Sequence, residues 1–178
     1  MNFGNFITSH TGLIHFIASI FSLLLGTLVL VLQKGTLTHR IIGRIYTLAM
    51  LVVLTTAFMT YRLFGTWGIF HWTAVISSLT LICGLLPILT RRPSKHYISL
   101  HFSFMYWSIM GVYGAFVSET LVRMPKVVIE SGIPNSVFYN MTGIGTALVM
   151  GIGVYFYLKN KPKWDKQFGL TNKKNDTE

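Results

Sequence analysis

The chain has 178 residues, of which 52% are hydrophobic and only 11% are charged, and its mean hydropathy is +0.55. A soluble domain carries about a quarter charged residues, so this composition excludes an ordinary soluble protein and indicates a membrane protein. The net charge of +10 does not indicate nucleic-acid binding, because the Lys and Arg residues gather on one side of the predicted membrane topology.

Five segments are apolar enough to cross a bilayer, which takes about 20 residues each. They cover residues 12–33, 41–63, 69–90, 97–118 and 138–158. The predicted fold is therefore all-α: a polytopic transmembrane helical bundle of five spans in residues 1–158. The tail, residues 159–178, is basic and polar, and we expect its end to be largely disordered.

Positive charge predicts the orientation of the bundle. Twelve of the fifteen Lys and Arg residues lie in the tail or beside the first and third connections, and three lie on the other side. The positive-inside rule then places the N-terminus outside and the C-terminus in the cytoplasm. We predict a location in the bacterial cytoplasmic (inner) membrane, with anionic lipids as partners of the excess charge.

A polar stretch opens the second span on the cytoplasmic side. His39, Gly43 and Tyr46 are spaced i, i+4 and i+7 and share one helical face, while Arg40 and Arg44 form the neighbouring stripe. Because the start of a helix also offers free N–H groups and a positive dipole end, this stretch predicts an anion site beside a histidine.

The other candidate residues occupy the remaining spans. His15 and His71 lie near the outer ends of spans 1 and 3. Five more lie within span 4 or close to its two ends: His96, His101, Met105, Glu119 and Arg123. Glu119 precedes Arg123 by four residues, which is the favourable order for an ion pair on a helix.

Two sequence patterns bear on the architecture. Residues 15–23 align without gaps on residues 71–79, which favours a repeat of helices 1–2 as helices 3–4, although apolar helices often share such residues by chance. Gly143, Ala147 and Gly151 place small residues every four positions on span 5. That spacing is typical of close helix packing in lipid and suits a homodimer.

The histidines form two layers, and the most specific interpretation is b-type haem, whose iron takes axial histidines from facing helices. The candidate ligands are His15 with His71 at the outer end, and His39 with His101 or His96 at the cytoplasmic end. Gly43 would leave room for the flat macrocycle beside Tyr46, and Arg40 and Arg44 would pair with its propionates.

Two other interpretations stay open. His15, His71 and Glu119 offer nitrogen and carboxylate ligands suited to a bare transition metal, although no ligand pair has local metal-site spacing. Alternatively, the histidines are hydrogen-bonded packing groups, which is the simpler explanation for His96. Deeper ionisable groups such as His15 and His101 are functional candidates by default.

The residues on which these predictions rest also form a pattern that resembles a protein family. They are His15, His39-Arg40-x-x-Gly43-Arg44-x-Tyr46, His71, His101, and Glu119 with Arg123. This pattern resembles a family of small bacterial polytopic membrane proteins catalogued as a domain of unknown function. The resemblance extends from about His10 to Arg123, and it implies the membrane class without implying a reaction.

Two functions follow as hypotheses. The first is a membrane protein that binds haem b or a transition metal through intramembrane histidines and transfers electrons, with a redox partner in the membrane. The second is a non-catalytic carrier or assembly partner that binds an anionic lipid or small solute at Arg40 and Arg44. The sequence does not decide whether the protein is an enzyme.

Overall fold

The computed structural model describes residues 9–61, 65–93, 96–123 and 136–167. Over these ranges the chain forms five helices and no strand: α1 (His10–Val31), α2 (Leu37–Phe58), α3 (Ile69–Thr90), α4 (Tyr97–Arg123) and α5 (Ser136–Gln167). Each helix is long and apolar enough to cross a membrane, which confirms the predicted fold class. The predicted boundary at residue 158 falls inside the continuous helix α5, and the end of the tail lies outside the described residues.

Local sequence signals fix the starts of the first two helices. Ser9 caps α1, because its hydroxyl accepts a hydrogen bond from the N–H of Gly12 at 3.1 Å. Thr36 caps α2 in the same way and accepts from the N–H of His39 at 3.2 Å. Each cap satisfies one of the N–H groups that a helix start leaves without an intrahelical partner.

Helix α4 lies at the centre of the bundle. It packs against α1, α3 and α5, whereas α2 packs against α1 and α3. The pairs α1–α2 and α3–α4 are helical hairpins, which the predicted repeat requires, and the duplication itself stays a prediction. We call the end with the α1–α2 and α3–α4 connections the inner end and the opposite end the outer end. The predicted assignment of these ends to the cytoplasm and the outside stays a prediction.

The interior is apolar and closely packed. Its main cluster consists of Tyr46, Met50, Leu54, Ala74, Leu81, Met105, Ile109 and Val112. Glycines allow the close approach: a Cβ on Gly26 would come within 3.2 Å of both Ile109 and Tyr46, and one on Gly84 within 2.8 Å of the Met105 sulfur. Small residues at such contacts are typical of membrane helices, because lipid removes the hydrophobic gain from association and leaves close packing to hold helices together.

Many large apolar side chains are exposed on the surface of the bundle. Within the most hydrophobic 18-residue stretch of each helix, at most 33% of the residues are buried, and this highest share belongs to α4. Val31 and Leu89 are 80% and 77% exposed. A water-soluble protein would not cover its surface with such side chains, so the bilayer is the solvent for this face.

Candidate functional site

One hydrogen bond fixes the register of α2 and α4 at the inner end. The buried hydroxyls of Tyr46 and Ser108 lie 3.1 Å apart. His39 precedes Tyr46 by seven residues, and His101 precedes Ser108 by seven. Seven residues are two helical turns, or about 10 Å, so each histidine lies below its partner on the same face. His39 and His101 therefore share one level of the bundle, and the two rings are within electrostatic reach of each other.

The ring nitrogens of this pair have different surroundings. Nδ1 of His101 donates to the carbonyl of Gly84 at 2.7 Å, so Nδ1 carries the proton and Nε2 of the neutral ring carries a lone pair. Nδ1 of His39 is buried and has no hydrogen-bond partner among the described residues. Gly43, one turn beyond His39, adjoins open space, since a Cβ there would meet nothing within 4 Å. The site thus has one oriented imidazole, one unsatisfied ring nitrogen and room beside them.

Lys34 closes the inner end of α1. Its ammonium donates to the carbonyls of Val29 and Leu30 at 2.8 and 2.5 Å, which are carbonyls of the last helical turn. A cation at this end complements the negative end of the helix dipole. Burial lowers the pKa of Lys34, because the charged ammonium loses hydration there. The Lys34 ammonium therefore binds carbonyls of α1 and is not available to a ligand.

The two arginines of the predicted anion site differ in their engagement. Arg40 folds back so that its Nε and Nη2 donate to the carbonyl of Gly35 at 3.3 and 3.1 Å. Arg44 is exposed and forms no ion pair within the described part of the chain. Both arginines belong to the helical stripe next to the face of His39, and only Arg40 folds back onto the backbone of the preceding turn.

A second polar group lies at the outer end, where α1, α2 and α4 meet. Nδ1 of His15 lies 2.9 Å from the Thr56 hydroxyl and 3.2 Å from the carbonyl of Val53. The Thr56 hydroxyl donates its own hydrogen to the carbonyl of Val52 at 2.7 Å. Nδ1 must therefore be the donor, and Nε2 faces Oε1 of Glu119 at 3.7 Å. His15 is therefore oriented by α2 so that its second ring nitrogen faces α4.

His71 has a structural role at the start of α3. Its Nδ1 accepts a hydrogen bond from the N–H of Gly68 at 3.1 Å, which caps the helix. The ring lies against Tyr61 and Trp67, with centroids 4.7 and 4.8 Å away. Because Nδ1 accepts, Nε2 carries the proton, and this buried N–H has no acceptor among the described residues.

The structure brings some predicted site residues together and separates others. His15 meets Glu119, and His39 shares a level with His101. His71 has a separate set of partners in the aromatic group at the start of α3. Within the described ranges, no group of three or more His, Cys, Asp or Glu side chains is arranged to hold a metal ion.

The remaining predicted residues have simpler surroundings. Tyr46 is fully buried in the core, and Met105 is buried one turn from His101 against Gly84. His96 is exposed at the start of α4. The predicted ion pair of Glu119 with Arg123 cannot be placed, since the Arg123 side chain lies outside the described residues.

The sequence did not reveal the hydrogen-bond partners that orient His15 and His101. Thr56 orients His15 and Gly84 orients His101. Neither residue can be recognised as a histidine partner from the sequence, because threonine and glycine occur throughout apolar helices. Ser108 was detectable, since it shares a helical face with His101 and Met105 at i+7 and i+3 spacing.

Five helices within the described ranges, each long and apolar enough to cross a bilayer, define a polytopic helical membrane protein. Residues 12–158 match a family described as "Predicted membrane protein (DUF2306)", and the chain belongs to that family. This match confirms the predicted resemblance to a membrane family of unknown function. No curated protein and no solved structure matches the chain.

Proposed function

We propose that this protein transfers electrons within the membrane through a b-type haem held between His39 and His101. The observation that carries the proposal is the placement of these two histidines at one level on α2 and α4, with the unsatisfied Nδ1 of His39 buried there. A buried polar atom without a partner is costly, and such atoms in a native fold call for an explanation. A bound group that contacts the His39 ring would supply one.

The donor set fits haem better than a bare metal ion. The macrocycle of a haem supplies four nitrogen ligands to the iron. The protein therefore needs to supply only one or two axial ligands. A bare zinc or copper ion takes three or four protein ligands, and the inner end presents two histidines. His101 also has the outer-sphere bond typical of a ligating histidine, since its Nδ1 donates to the carbonyl of Gly84.

The surroundings of the pair support the same assignment. The open space beside Gly43 leaves room next to the histidines, and the exposed Arg44 offers donors for an anionic substituent. A bound haem would supply a reversible one-electron couple. The protein's own contribution is to orient His101 through Gly84 and to exclude water with the fully buried Tyr46.

The outer end is a weaker candidate for a second centre. His15 has a free Nε2 lone pair in its neutral form, but that nitrogen faces Glu119. The protonated Nε2 of His71 cannot ligate while Nδ1 accepts from Gly68. A haem between His15 and His71, or a metal ion on both with Glu119, would therefore require His71 to leave its capping position.

The test is the absorption spectrum of the protein purified after expression with haem supplied. We expect a Soret band that His39→Ala and His101→Ala remove. His96→Ala is the matched control, because His96 is an exposed histidine at the same end. Circular dichroism would show that each variant is folded. A wild-type protein with no Soret band would refute the haem proposal, and the absence of metal by elemental analysis would also exclude a bare metal ion.

The second candidate function is a non-catalytic carrier or assembly partner that binds an anionic lipid or small solute. Arg44 favours it, because this exposed guanidinium forms no ion pair within the described residues. Under this alternative, Arg40→Ala and Arg44→Ala abolish function, whereas His39→Ala, His101→Ala, His15→Ala and His71→Ala are tolerated. The opposite ranking supports electron transfer.

We further propose the bacterial inner membrane as the location and a homodimer as the assembly. The dimer proposal rests on α5, where Gly143 and Gly151 adjoin open space and Ala147 between them is exposed. Closely spaced small residues allow two helices to approach in lipid. Ala147→Leu should then shift the protein toward monomer in detergent, as measured by light scattering during size-exclusion chromatography.

A further inference from the structure

A groove lies between the last turns of α3 and the first turns of α4, apart from the histidine sites. Its volume is about 450 Å³. It is lined by Cys83, Leu86, Pro87, Thr90, Arg92, Pro93, Leu100 and Phe104. Most of these side chains are apolar, and the volume is in the range of sites that hold a small organic ligand.

Charge is confined to one end of the groove. Arg92 is the charged residue of the lining, and it follows the end of α3 on the inner side of the bundle. Its neighbour Arg91 ends α3 with φ 54°, in the left-handed region where glycine is the usual residue. Both arginines are exposed, and neither forms an ion pair within the described ranges. The groove is therefore lined mainly by apolar side chains, and the arginine at its inner end has no ion-pair partner among the described residues.

We propose that this groove is a binding site for one anionic phospholipid, with an acyl chain against the apolar lining and the phosphate at Arg92. A ligand of this site must combine a flexible apolar chain with a negative head group at the depth of the membrane surface. An anionic phospholipid has both parts, and basic residues at the inner membrane surface are the usual partners of its head group. A free phosphate ion would use Arg92 but would leave the apolar lining without a partner.

Arginine suits this contact better than lysine would. Its planar guanidinium can donate two parallel hydrogen bonds to one phosphate group, which a lysine ammonium does not do. The side chain also lies directly beside the apolar lining, so the chain and the head group of one lipid are recognised together. The groove shares no lining residue with the proposed haem site between α2 and α4.

Cys83 provides the assay, because it lines the groove and is the single cysteine of the chain. The wild-type protein is placed in nanodiscs of phosphatidylcholine alone, or with added phosphatidylglycerol, and treated with a membrane-permeant maleimide. A bound lipid covers the thiol, so we expect phosphatidylglycerol to slow alkylation by at least threefold. Native mass spectrometry should show one retained phosphatidylglycerol per chain.

Three variants locate the effect. Arg92→Gln should remove the slowing, because the head group loses its partner. Lys163→Gln is the charge-matched control, since it removes an exposed cation at the inner end of α5 outside the groove, and the slowing should persist. Leu100→Trp fills the groove, so its alkylation rate should no longer depend on the lipid.

The other outcomes overturn the proposal. Equal alkylation rates in the two lipid mixtures would show that the groove does not select anionic lipid. Slowing that survives in Arg92→Gln would show a general effect of surface charge on the thiol. Slowing by inorganic phosphate in pure phosphatidylcholine would assign the site to a free anion instead of a lipid.

Discussion

Gly84→Ala tests the close approach of α3 and α4, on which the orientation of His101 depends. An added Cβ at Gly84 would lie 2.8 Å from the Met105 sulfur, 3.0 Å from its Cγ and 3.2 Å from its backbone nitrogen. The Met105 side chain can move aside, but its backbone cannot without separating the two helices. The carbonyl that accepts from His101 belongs to Gly84 itself, so such a separation would also loosen that hydrogen bond.

Three terms set the expected change in stability. Overpacking of a closely packed contact costs about 1–3 kcal/mol. The exchange of glycine for alanine inside a helix returns about 1 kcal/mol through helix propensity. Weakening of the hydrogen bond from His101 adds up to about 1 kcal/mol. These opposing terms span about 0–3 kcal/mol, so we expect Gly84→Ala to lower the free energy of unfolding by about 1.5 kcal/mol, the middle of that range.

The assay is unfolding in mixed micelles with increasing SDS, followed by circular dichroism. Gly111→Ala is the control, because it makes the same chemical change in α4 at a position where a Cβ would make only an ordinary contact, 3.5 Å from Oγ of Ser77. It should leave the stability unchanged or raise it. The double variant Gly84→Ala with Met105→Ala should be less destabilised than the sum of the single variants, since the smaller side chain removes the main clash.

Two results would refute this reasoning. Gly84→Ala as stable as the Gly111→Ala control would mean that α3 and α4 do not approach as closely at Gly84 as the structure places them. Additive effects of Gly84→Ala and Met105→Ala would mean that the two residues are not in contact.

Three further substitutions probe the polar contacts, all measured by the same unfolding assay. Tyr46→Phe keeps the packing but removes the hydrogen bond with Ser108, so it should cost about 0.5–1.5 kcal/mol, and no loss would contradict that contact. Thr56→Val should cost no more than about 1 kcal/mol, because a backbone carbonyl remains for His15. Nitrogen NMR should still show the His15 Nδ1 protonated, and a shift of the proton to Nε2 would refute the assignment. His71→Phe keeps the ring stack and removes both the cap and the unpaired buried N–H, so these opposing terms should leave the stability within about 1 kcal/mol. A larger loss would reveal an acceptor for that N–H.

Much of the fold was predictable from the sequence because the bilayer imposes a simple rule on it. A spanning helix must satisfy its backbone internally and present about 20 apolar residues, so composition alone located the spans. The predicted third span, residues 69–90, has the same limits as α3. The predicted fifth span ended at residue 158, where lysines begin, but a helix in water does not need apolar residues and α5 continues to Gln167.

The candidate site was only partly predictable. The shared face of His39, Gly43 and Tyr46 follows from helical periodicity and needs no tertiary information. The difference between Arg40 and Arg44 was not predictable, because it depends on whether a guanidinium folds back onto the carbonyl of Gly35. The two arginines are equivalent in the sequence pattern.

The sequence by itself determined that this chain is a five-helix membrane protein with histidines in two layers. Only the tertiary structure decided which histidine has which role. His71 is turned into a helix cap, His15 is directed at Glu119, and His101 is oriented beside His39. The physical reason is that the roles of His15 and His101 depend on contacts between helices, whereas the cap of His71 is local, with Gly68 three residues away. The contacts between helices join residues 17 to 104 positions apart, and local periodicity carries no information about partners that distant.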